Sequence, residues 1–318
     1  MQVVIDKGIP FLDGVFPSDI EVLHLSPEEI TPCAVRNADA LFVRTRTRIN
    51  KELLQGSKVR FVATATIGFD HIDQSYCREA GIHWVSCPGC NAQAVCDYVE
   101  EAISSIKSDK TDLTIGIIGY GHVGKLVAQM AQKRGYRVLL SDPPLGIGAP
   151  LREIAPQCDV LTFHTPLTYD GEYPTYHLCN ADILRLCKPN ALIINAARGG
   201  IIDEQALLST LNTQHSTLNY KVAIDCWENE PLLKQALLEK VDLASFHIAG
   251  YSIEGKMRAS EMCLQAFCEF FSLPILSINK KLVPLQKIIK YHEKVSYFFC
   301  HADSNGRVIR LHIRAKTK

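Results

Sequence analysis

The stretch TIGIIGYGHVGK, residues 114–125, constrains this chain more than any other. An apolar run leads into Gly119, Gly121 and Gly124 and then into KLVAQMAQKRG, a helix-forming segment. Strand, glycine turn and helix in that order require an α/β unit. In such a turn the first glycine permits the tight bend, the second lets a ligand's pyrophosphate approach the backbone, and the third lets the helix pack on the strand. Gly119, Gly121, His122, Val123 and Gly124 are therefore expected at a dinucleotide, its diphosphate facing the helix start and that end's positive dipole. The next strand, YRVLLSD, ends in Asp142 about twenty residues on, the spacing at which a carboxylate binds ribose hydroxyls. It would repel a 2′-phosphate, so NAD is expected rather than NADP.

Around this unit the chain alternates apolar runs with helical segments. QVVID, EVLHL, ALFVRT, VRFVATAT and HWVSC form one series, and TIGIIG, YRVLLSD, DVLTFH, ALIIN, KVAID and DLASFHI a second. Such βα alternation predicts parallel sheets, and 318 residues suit two domains better than one. The expected fold class is α/β: a doubly wound Rossmann-type NAD-binding domain over 96–250, and a smaller flavodoxin-like substrate domain over 1–95. The helical pattern SIEGKMRASEMCLQAFCEFFS predicts a return helix within 251–281 that packs on the smaller domain, making it discontinuous in sequence.

Arg198, Glu230 and His247 each follow an apolar strand of the second series, in ALIINAARGG, KVAIDCWENEP and LASFHIAGY. Strand ends of a parallel sheet gather along one edge, so the three can converge. A histidine can take the hydroxyl proton during hydride removal, and a neighbouring carboxylate would stabilise the imidazolium. An arginine fork matches a substrate carboxylate. Together they point to hydride transfer on an anionic alcohol or carbonyl.

With these residues in view the chain resembles the D-isomer-specific 2-hydroxyacid dehydrogenase family, through NAARGGIIDEQAL, AIDCWENEP and the His of SFHIAGY. The similarity extends through FVRTRTRIN, FVATATIGFDHID, CPGCNAQAVCDYV, SDPP, LTFHTPL and HIAGYSIEGK, about residues 1–270. The resemblance implies NAD-dependent oxidation of a small phosphorylated 2-hydroxy acid, with Arg198 and Glu230 in the active site and His247 as proton donor. It further implies that Asp142, Thr165, Asp225 and Gly250 contact NAD, and that Thr45, Thr66 and Tyr251 contact substrate. For the phosphate, Arg44, Arg46 and Arg48 would share a face if their run stays extended. Arg44, together with Lys256, is the candidate. Other readings are a dehydrogenase of another 2-hydroxy acid, such as 3-phosphoglycerate or D-lactate, and a non-catalytic NAD-binding protein.

Formal charge sums to zero, yet from Lys280 onward ten Lys or Arg face only Glu293 and Asp303. Family members carry a further dimerisation domain. Residues 282–318 are expected to form a shortened or divergent basic tail in its place, which puts the family's homodimer in question. No nucleic-acid motif accompanies the charge, and no run approaches the roughly 18 apolar residues of a membrane span. No export signal is expected at MQVVIDKGIPFL, so the cytoplasm is the expected location. The 12 cysteines are read as reduced and mostly buried. Cys87-Pro-Gly-Cys90 lacks a second ligand pair, and no metal site is assigned.

Overall fold

The computed structural model describes residues 1–108, 111–212 and 219–278, together with the backbone of 299–302 and 308–311. Its longer helices are α1 (Ala92–Ile106), α2 (His122–Lys133), α3 (Glu204–Asn212) and α4 (Ile253–Phe271). The chain divides into two units, Met1–Asn91 with Tyr251–Glu293 and Ala92–Gly250 with Lys294–Lys318.

In the first unit the five apolar runs become β1 (Gln2–Asp6), β2 (Glu21–Leu25), β3 (Ala40–Val43), β4 (Phe61–Thr64) and β5 (His83–Val85). All pair in parallel in the order β2-β1-β3-β4-β5, the flavodoxin-like winding. Every residue of β3 and β4 is buried, as expected of strands covered on both faces. Ala259, Cys263, Leu264 and Phe267 of α4 share one core with Val3, Phe42 and Phe61 of the sheet. That apolar stripe carries α4 back onto the first unit.

Cys87 and Cys90 lie in this core. Cys87 Sγ is 3.4 Å from Cys263 Sγ, an unbonded contact, and hydrogen-bonds the Thr64 and Ala259 carbonyls. Burial pushes the Cys90 thiol up to about 11, with Cys87 adding to the effect. These sulfurs act as small buried hydrophobes.

The second unit holds β6 (Thr114–Ile118), β7 (Arg137–Asp142), β8 (Ile147–Gly148), β9 (Val160–Phe163), β10 (Leu192–Asn195), β11 (Lys221–Ile224) and β12 (Leu243–Ala244). Two further strands, β13 (Phe299–Ala302) and β14 (Val308–Leu311), pair antiparallel beyond β12. The order is β14-β13-β12-β11-β10-β9-β6-β7-β8. Winding reverses between β6 and β9, the switch point where such sheets bind ligands. Alternate strand residues serve two cores. Ile115, Ile117 and Ile194 pack with α1 and α2, while Ile118, Ile193 and Phe163 pack on the other side with Leu207 of α3.

The rest of the expected 282–318 tail lies outside the described residues. Among those described, no helix is long and apolar enough to cross a membrane.

One expectation is corrected. The run from Arg44 to Arg48 does not stay extended: β3 ends at Val43, and the Thr47 N–H closes a turn onto the Arg44 carbonyl at 3.1 Å. Thr47 is buried by that turn, and the arginines part company. Arg46 pairs with Glu28, whereas an Arg44 Nη1 donates to the Gly8 carbonyl at 3.3 Å. The three arginines therefore do not alternate along one extended face, although Arg44 and Arg46 line one cavity.

Candidate active site

Six strand ends, those of β6, β7, β9, β10, β11 and β12, carry the expected residues of the second unit. At the first, Gly119 adopts φ +92°, and a Cβ there would meet the His164 carbonyl oxygen at 2.7 Å. A Cβ on Gly124 would stand 2.0 Å from the Gly119 carbonyl oxygen, so the helix–strand contact itself requires glycine. Gly121 differs. It has ordinary backbone angles and nothing within 4 Å of an added Cβ. Its lack of a side chain serves open space, which is what a backbone approached by a diphosphate needs.

The surrounding polar groups also fit a dinucleotide. Asp142 Oδ2 accepts the Tyr120 N–H at 2.6 Å, tying the end of β7 to the glycine turn. Thr165 Oγ1 and His164 Nδ1, just after β9 at the switch point, are buried without a hydrogen-bond partner. Burial pushes His164 down to about 3, so its ring is neutral and its Nδ1 can hydrogen-bond a ligand. His164 was not foreseen; the polar pair ending the apolar run DVLTFHT was its only sequence signal.

This cradle yields a sharp test. Gly121→Ala should lower the thermal midpoint only slightly, because the methyl meets no protein atom and the cost is that of alanine at a helix N-cap, yet raise the Kd for NAD by about tenfold or more, the equivalent of ~1.4 kcal/mol. Isothermal titration beside a melting curve reads both. Unchanged affinity would remove the glycine from the site.

The structure brings the two residues expected as acid/base partners into contact. His247 Nδ1 lies 2.9 Å from Glu230 Oε2, and Glu230 Oε1 accepts the Trp227 N–H at 2.7 Å. The hydrogen bond that His247 donates to Glu230 raises the His247 pKa, with the charges of Glu230 and Asp225 adding, and outweighs burial and Arg198, which lower it. Burial pushes the Glu230 carboxyl up, but hydrogen bonds from His247 and Trp227 and the charges of His247 and Arg198 bring it below its usual value. The His247 side chain is 52 % exposed, so Nε2 has room for a substrate hydroxyl.

Arg198 is half-buried, its Nη1 donating to the Ala197 carbonyl at 2.8 Å. Asn195 Nδ2 donates both to the Arg198 carbonyl, at 2.8 Å, and to the Cys226 carbonyl, at 3.1 Å, joining the arginine and glutamate loops. Gly199 completes the joint, because a Cβ there would stand 1.8 Å from the Trp227 carbonyl oxygen. Glu204 Oε1 accepts the Glu228 N–H at 2.6 Å from beneath.

Asp225, taken from the resemblance as an NAD contact, is 1 % exposed. Its Oδ1 accepts Ser245 Oγ at 2.6 Å and the Ile248 N–H at 2.9 Å, and its Oδ2 the Ala249 N–H at 2.9 Å. The His247 N–H reaches the Asp225 carbonyl at 2.7 Å. This clamp holds His247 at φ +55°, a strained value for a residue with a Cβ. Gly250 follows directly, half-buried.

Cys226 Sγ stands with Glu230 and His247, the three ligand atoms within 4.8 Å of one another. Such a trio could hold a metal ion, which the sequence reading does not foresee. Burial pushes this thiol well above its ordinary value, and Glu230 already engages His247, so the trio is joined as it stands by an imidazole–carboxylate hydrogen bond.

In the first unit Thr45 is exposed and lines, with Arg44, a cavity of about 410 Å³ that includes Asp6, Lys7, Glu28 and Arg46. Thr66 Oγ1 donates to the Gly68 carbonyl at 2.9 Å and meets Thr64 Oγ1 at 2.7 Å. Tyr251 is 40 % exposed and stacks beneath Lys256.

Winding, glycine cradle and imidazole–carboxylate pair define the class, a nucleotide-dependent dehydrogenase, and residues 97–249 match the family described as D-isomer specific 2-hydroxyacid dehydrogenase, NAD binding domain. Erythronate-4-phosphate dehydrogenase of Bacteroides fragilis is 44 % identical over 284 residues, 86 % of this chain and 81 % of that protein. The protein of the same name from Marinobacter nauticus is 42 % identical over 297 residues, covering 89 % and 76 %. The chain belongs to the erythronate-4-phosphate dehydrogenases within the D-isomer specific 2-hydroxyacid dehydrogenase family. It is an oxidoreductase, and its cofactor is NAD. Among solved structures, the TT0316 protein from Thermus thermophilus aligns with a TM-score of 0.72 at 24 % identity, covering 86 % of this chain and 98 % of its own. The NAD⁺-bound 3-phosphoglycerate dehydrogenase of Entamoeba histolytica aligns at 0.70 and 22 %, covering 88 % and 99 %, and these two likenesses speak to the fold.

Proposed function

We propose that the chain oxidises 4-phospho-D-erythronate to 2-oxo-3-hydroxy-4-phosphobutanoate, a step of pyridoxal 5′-phosphate synthesis, in the cytoplasm and as a homodimer. The observation that carries the chemistry is the 2.9 Å contact between His247 Nδ1 and Glu230 Oε2 beside Arg198. The names borne by relatives at 44 % and 42 % identity support the substrate.

NAD, when bound, accepts the hydride from the alcohol carbon. The protein does the rest. His247 Nε2 takes the hydroxyl proton, and Glu230 stabilises the imidazolium so formed and fixes the ring. In the opposite direction the same nitrogen returns the proton to the keto oxygen. Arg198 holds the substrate carboxylate in a two-pronged hydrogen bond and draws charge from the adjacent oxygen. Gly119, Gly121, His122, Val123 and Gly124 would hold the diphosphate, Asp142 the adenosine ribose, and Thr165 and Gly250 the remainder of the cofactor. Asp225 acts on the cofactor site through the backbone it clamps. Thr45, Thr66, Tyr251 and Arg44 are assigned to the substrate.

NADH production, followed at its absorbance with 4-phosphoerythronate, 3-phosphoglycerate and D-lactate, tests this reading. It expects the highest kcat/KM with the first. A preference for either other acid would overturn the substrate, and no turnover with any of them would overturn catalysis.

A further inference from the structure

We propose that Cys226, Glu230 and His247 form an inhibitory zinc site, in which Zn²⁺ held by the Cys226 thiolate, Glu230 Oε2 and His247 Nδ1 takes the acid/base pair out of use. Binding stands on geometry, and the inhibition rests on the proton-transfer reading given above. The three ligand atoms, one from each residue, lie within 4.8 Å of one another. Zinc bonds sulfur at about 2.3 Å and nitrogen or oxygen at about 2.0–2.2 Å, so tetrahedral ligands stand about 3.3–3.6 Å apart. His247 Nδ1 and Glu230 Oε2 are at 2.9 Å, and the sulfur closes on them with a shift of about 1 Å.

The donors hang from a fixed frame. Asn195 Nδ2 donates to the Cys226 carbonyl at 3.1 Å, the Trp227 N–H holds Glu230 Oε1 at 2.7 Å, and the His247 N–H reaches the Asp225 carbonyl at 2.7 Å. These bonds engage backbone and the other carboxylate oxygen, which leaves Sγ, Oε2 and Nδ1 to turn toward an ion. Cys226 is 2 % exposed, whereas the His247 and Glu230 side chains are 52 % and 32 % exposed, so the ion enters past those two and meets the sulfur last.

The donor set selects the metal. One thiolate, one imidazole and one carboxylate suit zinc, whereas magnesium and calcium take oxygen ligands. The two anionic ligands cancel the charge of the ion, which lowers the cost of holding it in a half-buried place. Three protein ligands leave the fourth tetrahedral position to water. On binding, Zn²⁺ displaces the Cys226 thiol proton to solvent and takes the Nδ1 lone pair, and the neutral ring then carries its proton on Nε2. Nε2 has no lone pair left for the substrate hydroxyl proton. The hydride transfer itself makes no use of the Cys226 sulfur.

The test uses the full chain carrying Cys33→Ser, because Cys33 is the exposed cysteine among the described residues. Cobalt(II), which occupies zinc sites and absorbs in the near ultraviolet when a thiolate binds it, should give this band at one equivalent per chain. Cys226→Ser should abolish the band, and so should Cys226→Ala, which keeps the buried position apolar. Zn²⁺ should erase it by displacement and inhibit NADH production with a constant of about 1 µM, reversed by EDTA. In either Cys226 variant turnover without zinc should stay close to that of the parent, while the inhibition constant rises about tenfold or more, the equivalent of ~1.4 kcal/mol.

A band that persists in both variants, or no band at all, overturns the site, and so does zinc that displaces the cobalt without slowing turnover. If the band depends on Cys226 while the metal-free protein oxidises none of the acids, the metal site stands and the catalytic reading falls.

Discussion

Replacing His247 with alanine lowers kcat by roughly 10²–10⁴-fold, the span of a positioned acid/base group, while NAD affinity stays at the wild-type value. The ring earns so large an effect through position: Nδ1 is committed to Glu230 at 2.9 Å, and the side chain remains half exposed. Glu230, the carboxylate hydrogen-bonded to the ring, is held below its usual value. Without the ring Glu230 loses the partner that chiefly holds it down, yet no group then stands where Nε2 stood to take the proton. Because the lost interaction forms with the transition state, kcat and kcat/KM should fall together. Steady-state rates in both directions, with nucleotide titrations on the same preparation, read the effect. Turnover within a few-fold of wild type would remove His247 from the chemistry.

Arg198→Lys keeps the charge and still loses about 10²-fold in kcat/KM, because a lysine cannot reproduce the planar fork. One charged hydrogen bond contributes about 1.5–3 kcal/mol, so losing one prong accounts for about one to two of those decades. Polarisation of the adjacent oxygen supplies the remainder, and it should appear in kcat rather than in KM. The backbone of this loop is fixed independently of the guanidinium by Asn195 and Gly199, so the variant should fold as the wild type does. Wild-type kinetics in the lysine variant would leave Arg198 with a purely electrostatic part.

The sequence reveals this site through two local signals. Apolar runs closed by a polar residue mark strand ends, and strand ends of one parallel sheet must meet, which brings Glu230 to His247. The glycine spacing is equally local, and two of its glycines, Gly119 and Gly124, have distinct steric reasons within the protein. What stays hidden depends on tertiary partners. Nothing in ALIINAARGG says that Asn195 will bridge to Cys226, or that Gly199 will lie under Trp227. The Asp225 clamp is unreadable for the same reason, since its donors come from residues 245–249, twenty and more positions away. The turn after Val43 defeats the alternation argument because one buried threonine outweighs a half-buried Arg44 and the exposed Arg46 and Arg48. Short antiparallel β8 is likewise beyond periodicity, its two residues offering no pattern.

The central claim is that Glu230 tunes His247, and the pH dependence of kcat tests it most directly. Alcohol oxidation needs the neutral imidazole, so the rate rises with pH through the His247 titration. Glu230 raises that pKa, chiefly through its hydrogen bond. In Glu230→Gln the rising limb should therefore move to lower pH, while the plateau falls because the imidazolium loses its partner. A limb that stays in place, or moves to higher pH, would contradict the pairing.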